Sequence, residues 1–389
     1  MDEQKYTTLM EGLKDVPDPR HPRGMRYPWL FLLALICCAV ASGQSTGHGI
    51  AHWISLRGVE FLEKLKPPHR CIPSESTIRR VLKIMDVHAL EERLAIYAQG
   101  LAERVRENNP ITTRSGERLR GIALDGKELR GVRAHGQPLC LMSAVQHDNG
   151  IVLAQTAVSQ KTNEITAAPR LLAKCCLEGT VTTVDALLAQ RHLAQQIVEQ
   201  KGHYLMVIKE NQRESYESIA LLFDCPPWSK QERAEQYRVH SSYSKAHGRL
   251  ETRSLESSTT LCGYLNWPEM GQVLRRRCKR VLLRTGEVSE QTTYAVTSLS
   301  PRDVDVTQIE SLWRGHWAIE NRLHYVRDVT MREDAGQIHT GRAPQVLAAL
   351  RNAIISSLRA RGWTNISDAI RYYGASVHHA LELIGALPT

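Results

Sequence analysis

The nine cysteines contain no Cys-x-x-Cys pair, which removes ribbon-type zinc sites and thioredoxin-like redox chemistry from consideration. Scattered thiols, with Cys37-Cys38 and Cys175-Cys176 adjacent, suit a reducing compartment, so a cytoplasmic protein is expected. No apolar run reaches the roughly 20 residues that span a bilayer. The longest, Tyr27 to Ala41, starts too late and continues too directly into patterned sequence for a cleaved signal peptide. It predicts a buried helix and no membrane partner. Internal repeats and low-complexity tracts are missing, and the Gly43-Gln-Ser-Thr-Gly47 stretch follows a helix-patterned run and not a strand, so serine-hydrolase chemistry has no nucleophile elbow to support it. His48 and His52 have the helical spacing of zinc ligands. No Glu follows His48, however, and Gly47 and Gly49 weaken a helix there.

What is present is a globular composition: 389 residues, 42% hydrophobic and 23% charged. That excludes collagen-like and wholly disordered chains and leaves room for two or three domains. The charge is less ordinary. Fifty basic residues against 41 acidic give +9, and 37 of the fifty are arginine. A guanidinium fork suits phosphate oxygens. G+C-rich codons yield the same surplus, so composition leaves both explanations open.

Along the chain, Met1 to about Asn109 is patterned as helices. Ser74 is placed to cap a helix beginning at Glu75, with Arg79 and Lys83 on one face of it. The period then changes. Leu119–Asp125 predicts a strand stopping at an acidic residue and Gly126. Leu139–Gln146 and Ile151–Ser159 predict two more strands joined through Asn149-Gly150, a hairpin signal. Glu164–Cys176 is patterned as a helix, Thr180–Asp185 as a strand, Ala186 to about Gln200 as a helix and Tyr204–Ile208 as a strand. This order predicts an α/β fold with a mixed sheet. From Lys209 it gives way to hairpin-like stretches at Tyr237–Thr252, Val273–Arg284 and Gln291–Leu299. One long helix is expected from Asp303–Val306 to about Arg327, and another over Ala343–Arg361.

Three carboxylates carry the chemistry. Asp125 and Asp185 each end an apolar strand, where side chains and loops build sites in α/β sheets. Either alone is equally a turn or cap residue; two in one sheet call for more. On the late helix, His316, Glu320, His324 and Arg327 follow at steps of four, four and three, with Trp313 and Trp317 nearby. Such a mixed stripe is a poor core face and suggests the wall of a site. Three carboxylates offer hard oxygen ligands, which suit Mg²⁺ or Mn²⁺ rather than zinc.

With these residues in view, the sequence resembles the DDE transposases of bacterial insertion sequences, in the branch of H-repeat-associated proteins of Rhs elements. The likeness extends over essentially the whole chain. It includes Asp15–Arg20, Ile72–Arg80, Leu124–Gly131, Lys161–Ile165, Thr183–Ala186, Lys209–Gln212, His247–Arg253 and Trp313–Asp328, in order. It implies a mainly helical N-terminal DNA-binding or associated domain over 1–110. An RNase H-like catalytic domain over 111–389 follows, with a β-rich insertion at about 209–302. Asp125, Asp185 and Glu320 are then the catalytic, metal-binding triad for two Mg²⁺ or Mn²⁺ ions, supported by Lys127, Lys209, Trp313, His316 and Arg327.

The wider group carries Tyr-x2-Arg-x3-Glu-x6-Lys around its glutamate. Here the pattern is Trp313-x2-His316-x3-Glu320-x6-Arg327, and phosphate contacts are expected of His316 and Arg327. The implied activity is cleavage of double-stranded DNA at element ends, then strand transfer into target DNA, by a homodimer in the synaptic complex. Further DNA contacts are expected from Arg79, Arg80, Lys245, His247, Arg249 and Arg253, then Arg275–Arg277. Trp267 is a candidate for stacking on an extruded base, although burial is the plainer expectation. The alternatives are an inactive or domesticated DNA-binding protein and a metal nuclease without strand transfer. A paired-carboxylate glycosidase would leave the arginine surplus unexplained.

Overall fold

A computed structural model describes residues 6–105, 110–134, 137–158, 163–227, 236–246, 248–336 and 338–387. The chain divides into two compact units. One comprises Met1–Asn108, Gly126–Cys175 and Ala318–Thr389; the other comprises Asn109–Asp125 and Cys176–Trp317. Ten strands are described: β1 (Ile111–Thr112), β2 (Arg118–Ala134), β3 (Gln137–Gln146), β4 (Val152–Ala157), β5 (Thr180–Val184), β6 (His203–Ile208), β7 (Tyr237–Ala246), β8 (Arg249–Ser258), β9 (Gln272–Leu282) and β10 (Val288–Thr297). β2 gives its first half to the second unit and its second half to the first.

In the first unit, the apolar run forms the helix Trp29–Ala41. Eleven of its residues are buried, as a helix apolar all round must be. Each fully buried leucine or isoleucine there contributes about 1.5–3 kcal/mol through removal from water. Helices Val87–Arg104 and Ala343–Ala360 pack on β4. The β3–β4 hairpin turns where expected, with Gly150 at φ 72° donating its N–H to the Gln146 carbonyl. Ser74 does occupy the N-cap position of the helix Glu75–Ile84, but its hydroxyl meets those of Ser76 and Thr77 instead of a backbone N–H. No helix is long and apolar enough to cross a membrane among the described residues.

The second unit is a mixed sheet. β2, β5 and β6 are parallel, and β10 pairs antiparallel with β6. β9, β8 and β7 then follow as an antiparallel meander. All five residues of β5 are buried, which explains a run of Thr and Val without polar alternation. One core cluster spans this sheet and the helix Val306–Gly315, joining Leu119, Val181, Leu205, Leu274, Ile309 and Trp313.

Four expectations change. β2 does not stop at Asp125 but continues to Ala134. The helix after Asp185 begins at Arg191, because Asp185 first holds a turn. The stretch after Lys209 opens with a helix, Arg213–Asp224, and its strands extend the sheet from β6. The long late helix is interrupted. It is α-helical to Gly315, turns at His316–Trp317, and is π-helical over Glu320–His324 and Val326–Thr330.

Candidate active site

Asp125 lies within β2 and Asp185 directly follows β5. In the parallel pair, Arg120, Gly121, Ile122 and Ala123 stand opposite Thr180, Val181, Thr182 and Thr183. Two residues further on each chain come Asp125, within β2 and on the face of Ala123, and Asp185, just past the end of β5. Asp185 is exposed. One of its oxygens accepts the Leu188 N–H at 3.1 Å, so part of this carboxylate is a turn cap and the rest is available for other work.

Thr183 Oγ1 donates to the Ile122 carbonyl at 3.2 Å and lies 3.0 Å from His316 Nδ1. A hydroxyl has one proton to give. With that proton on Ile122, Thr183 accepts from His316, which fixes the ring as the Nδ1–H tautomer. Burial holds the His316 ring below the usual histidine range, although the Asp185 charge pulls it back up. One nitrogen of the His316 ring is thus engaged with Thr183 on β5.

In the first unit, Glu320 is exposed at the start of the π-helical stretch, with an oxygen 3.4 Å from His324 Nδ1. π-Helical turns are uncommon and concentrate at functional sites. Beneath lies an ionic cluster. Lys127 Nζ stands 2.7 Å from Asp328 Oδ1 and 3.7 Å from Asp334 Oδ1, with its side chain 8% exposed. Arg327 and Arg351 both pair with Glu333, at 2.6 and 2.9 Å. Burial pushes the Glu333 carboxyl up, but the two guanidiniums outweigh it and hold it below the usual range. Burial raises the Asp328 carboxyl, with Lys127 opposing.

Several expected site residues are elsewhere engaged. Arg327 is fully buried on Glu333 and has no access to phosphate. Trp313 is core, with the Arg276 guanidinium 5.6 Å from its ring centre, whereas Trp317 is exposed. Trp267 is buried and donates its indole N–H to Ser215, so base stacking is not open to it. Arg253 is bound to Glu251 and Ser244. Arg275 is buried on Glu256 and Asp224, and Arg276 pairs with Glu310. Arg79, Arg80, Lys209, Lys245 and Arg249 are exposed, although Arg79 shares Glu75 with His48. His247 lies outside the described residues. His48 and His52 stack, and neither belongs to a group of three or more metal-ligating side chains among the described residues.

Sequence reasoning missed Thr183 and the carboxylates of Asp328, Glu333 and Asp334. Thr183 looked like one more β-branched strand residue. The three carboxylates follow Glu320 without any period that sets them apart.

Comparison with known proteins places these features in a family. Residues 117–358 match the family described as Transposase DDE domain, and residues 10–98 match the one described as DDE_Tnp_1-associated. "Putative transposase YncI" of Escherichia coli O157:H7 is 29% identical over 90% of this chain and 87% of its own length. "H repeat-associated putative transposase YhhI" of Escherichia coli K12 is 26% identical over 90% of each. Among solved structures, a piggyBac transposase synaptic complex with hairpin DNA is similar at TM-score 0.44 and 10% identity. That likeness covers 92% of this chain and 76% of the other.

Proposed function

Because the chain belongs to the transposase DDE-domain family, we propose that it cuts double-stranded DNA at the ends of an insertion sequence and joins the freed ends to target DNA. Asp125, Asp185 and Glu320 are the proposed ligands of two Mg²⁺ or Mn²⁺ ions. The observation that carries this reading is the parallel register of β2 and β5, whose last paired residues, Ala123 and Thr183, precede Asp125 and Asp185 by two residues each.

The oxygen donors of Asp125 and Asp185 fit a hard divalent ion, and Glu320, exposed on its π-helical turn, adds a third carboxylate. Ions held by these carboxylates would supply Lewis acidity to the phosphodiester and would lower the pKa of the attacking water or 3′-hydroxyl. The protein's own part is to hold the three carboxylates rigidly, with the His316 ring tied to Thr183, two residues before Asp185.

The sheet supports an RNase H-like reading of the core over 111–389, with the stretch at about 209–302 as its insertion and residues 1–110 as the DNA-binding or associated part. The exposed bases Arg79, Arg80, Lys245 and Arg249 are the proposed contacts to the phosphate backbone, with Lys209 near the strand ends. A homodimer is proposed because two element ends must be cut together.

Cleavage of a duplex bearing the element's end sequence is expected to require Mg²⁺ or Mn²⁺ and to vanish in Asp125→Asn, Asp185→Asn and Glu320→Gln. Full activity in any one variant removes that residue from the triad. Normal duplex binding with no nicking by the native chain points to the inactive DNA-binding reading.

A further inference from the structure

We propose that the segment carrying Glu320 is held by two separate ties, making Thr183, His316, Lys127 and Asp328 positioning residues of the metal site. The inference rests on the metal reading of Asp125, Asp185 and Glu320 above.

The first tie lies in the second unit. Thr183 stands two residues before Asp185, and its hydroxyl takes the His316 Nδ1–H at 3.0 Å while giving its own proton to the Ile122 carbonyl. His316 is four residues before Glu320. The second tie lies in the first unit. Lys127 stands two residues after Asp125, on the same face of β2 by the two-residue period. Its ammonium is 2.7 Å from Asp328, eight residues after Glu320. Each tie therefore joins a strand that carries one aspartate to the segment that carries the glutamate. Each also does so at an offset of two from that aspartate.

The segment needs such ties. Its π-helical turns at Glu320–His324 and Val326–Thr330 have a geometry that local sequence does not favour. Trp317, Tyr325 and Val329 remain exposed, so burial alone fixes only part of it. Lys127 is buried and Asp328 partly so, and such an ion pair gains little net stability over an apolar pair, because desolvation offsets the attraction. What it does supply is a defined register, and register is what a carboxylate ligand requires. Groups behind metal ligands act this way, and their removal typically weakens metal binding by roughly 10- to 100-fold.

The test uses the full chain with Mn²⁺ alone as probe, free ion being counted by electron paramagnetic resonance, alongside gel shift of an end-sequence duplex. Thr183→Val and Asp328→Asn are each expected to weaken Mn²⁺ binding by about 10-fold or more. Duplex binding should stay within about twofold, and Thr183→Ser, which keeps the hydroxyl, should restore the native Mn²⁺ affinity. Native Mn²⁺ affinity in folded Thr183→Val and Asp328→Asn overturns the ties while leaving the triad standing. If Thr183→Val does not fold, Asp328→Asn and Lys127→Met decide on the same readout. A native chain that binds no Mn²⁺, or binds it equally well as Asp185→Asn, removes the triad and the ties together.

Discussion

Arg327 places its Nη2 2.6 Å from Glu333 Oε2, and neither side chain is more than 5% exposed. Arg351 reaches the other carboxylate oxygen at 2.9 Å, so a single buried anion serves two buried cations. Removing it leaves both guanidiniums without their counter-charge, a far larger loss than the pair's net worth. Glu333→Gln is expected to cost about 3–5 kcal/mol of stability, measured by denaturant unfolding. A cost below about 1 kcal/mol would mean that water reaches the cluster.

The same carboxylate makes a pH prediction. Its folded pKa is held below the ordinary glutamate value. The unfolded state therefore takes up the proton first, and stability rises with pH across the window between the two values. The contribution is complete above the unfolded value of roughly 4.3 and is lost as pH falls through the lower, folded one. The stability gap between the native chain and Glu333→Gln should accordingly be constant from pH 7 to 5 and shrink below about pH 4. A gap that closes near neutral pH would show that some other group controls it.

Gly126 follows Asp125 directly. A Cβ at that position would lie 2.3 Å from the Glu164 Oε1 atom and 2.6 Å from its carboxyl carbon. The clash is with the far end of a flexible side chain, so Glu164 must move while the backbone need not. Gly126→Ala is expected to destabilise by about 1–3 kcal/mol, the usual range for overpacking. Gly126→Ala combined with Glu164→Ala should recover most of the loss. If the second change recovers nothing, the strain lies in the β2 backbone.

The contrast between legible and illegible features is physical. Asp125 and Asp185 stand out in the sequence because an apolar run followed by a carboxylate is a local pattern, although only β5 ends there. The continuation of β2 was not, since Gly126-Lys-Glu-Leu-Arg130 has no strand alternation of its own and is held by pairing within the sheet. The stripe His316, Glu320, His324 and Arg327 assumed a 3.6-residue period. The turn at His316–Trp317 and the π-helical turns break that period. Arg327 then goes inward to Glu333, and His316 goes to Thr183. Lys127 and Asp328 meet only through the fold, and no window of sequence contains both.

Arginine count was the first hint of a phosphate partner, and burial now divides that count. Lys245 and Arg249 are exposed on β7 and β8, so replacing either with alanine should weaken duplex binding and leave melting unchanged. Each such replacement should also lower the slope of log affinity against log salt by roughly one. Arg275 is the opposite case. Its guanidinium is buried between Glu256 and Asp224 and lies 4.9 Å from the Phe223 ring centre. Arg275→Ala takes from the buried Glu256 carboxylate its nearest cation, leaving it the Tyr237 hydroxyl and Arg277 at 3.4 Å, and Arg275 helps to hold that carboxylate below its ordinary pKa despite burial. That variant should lose about 3–5 kcal/mol of stability with no change in salt slope for the fraction that remains folded. Melting curves and salt-dependent gel shifts on the same three variants separate the two roles. An Arg275→Ala chain that melts like the native one but binds duplex poorly would place this arginine on the DNA instead.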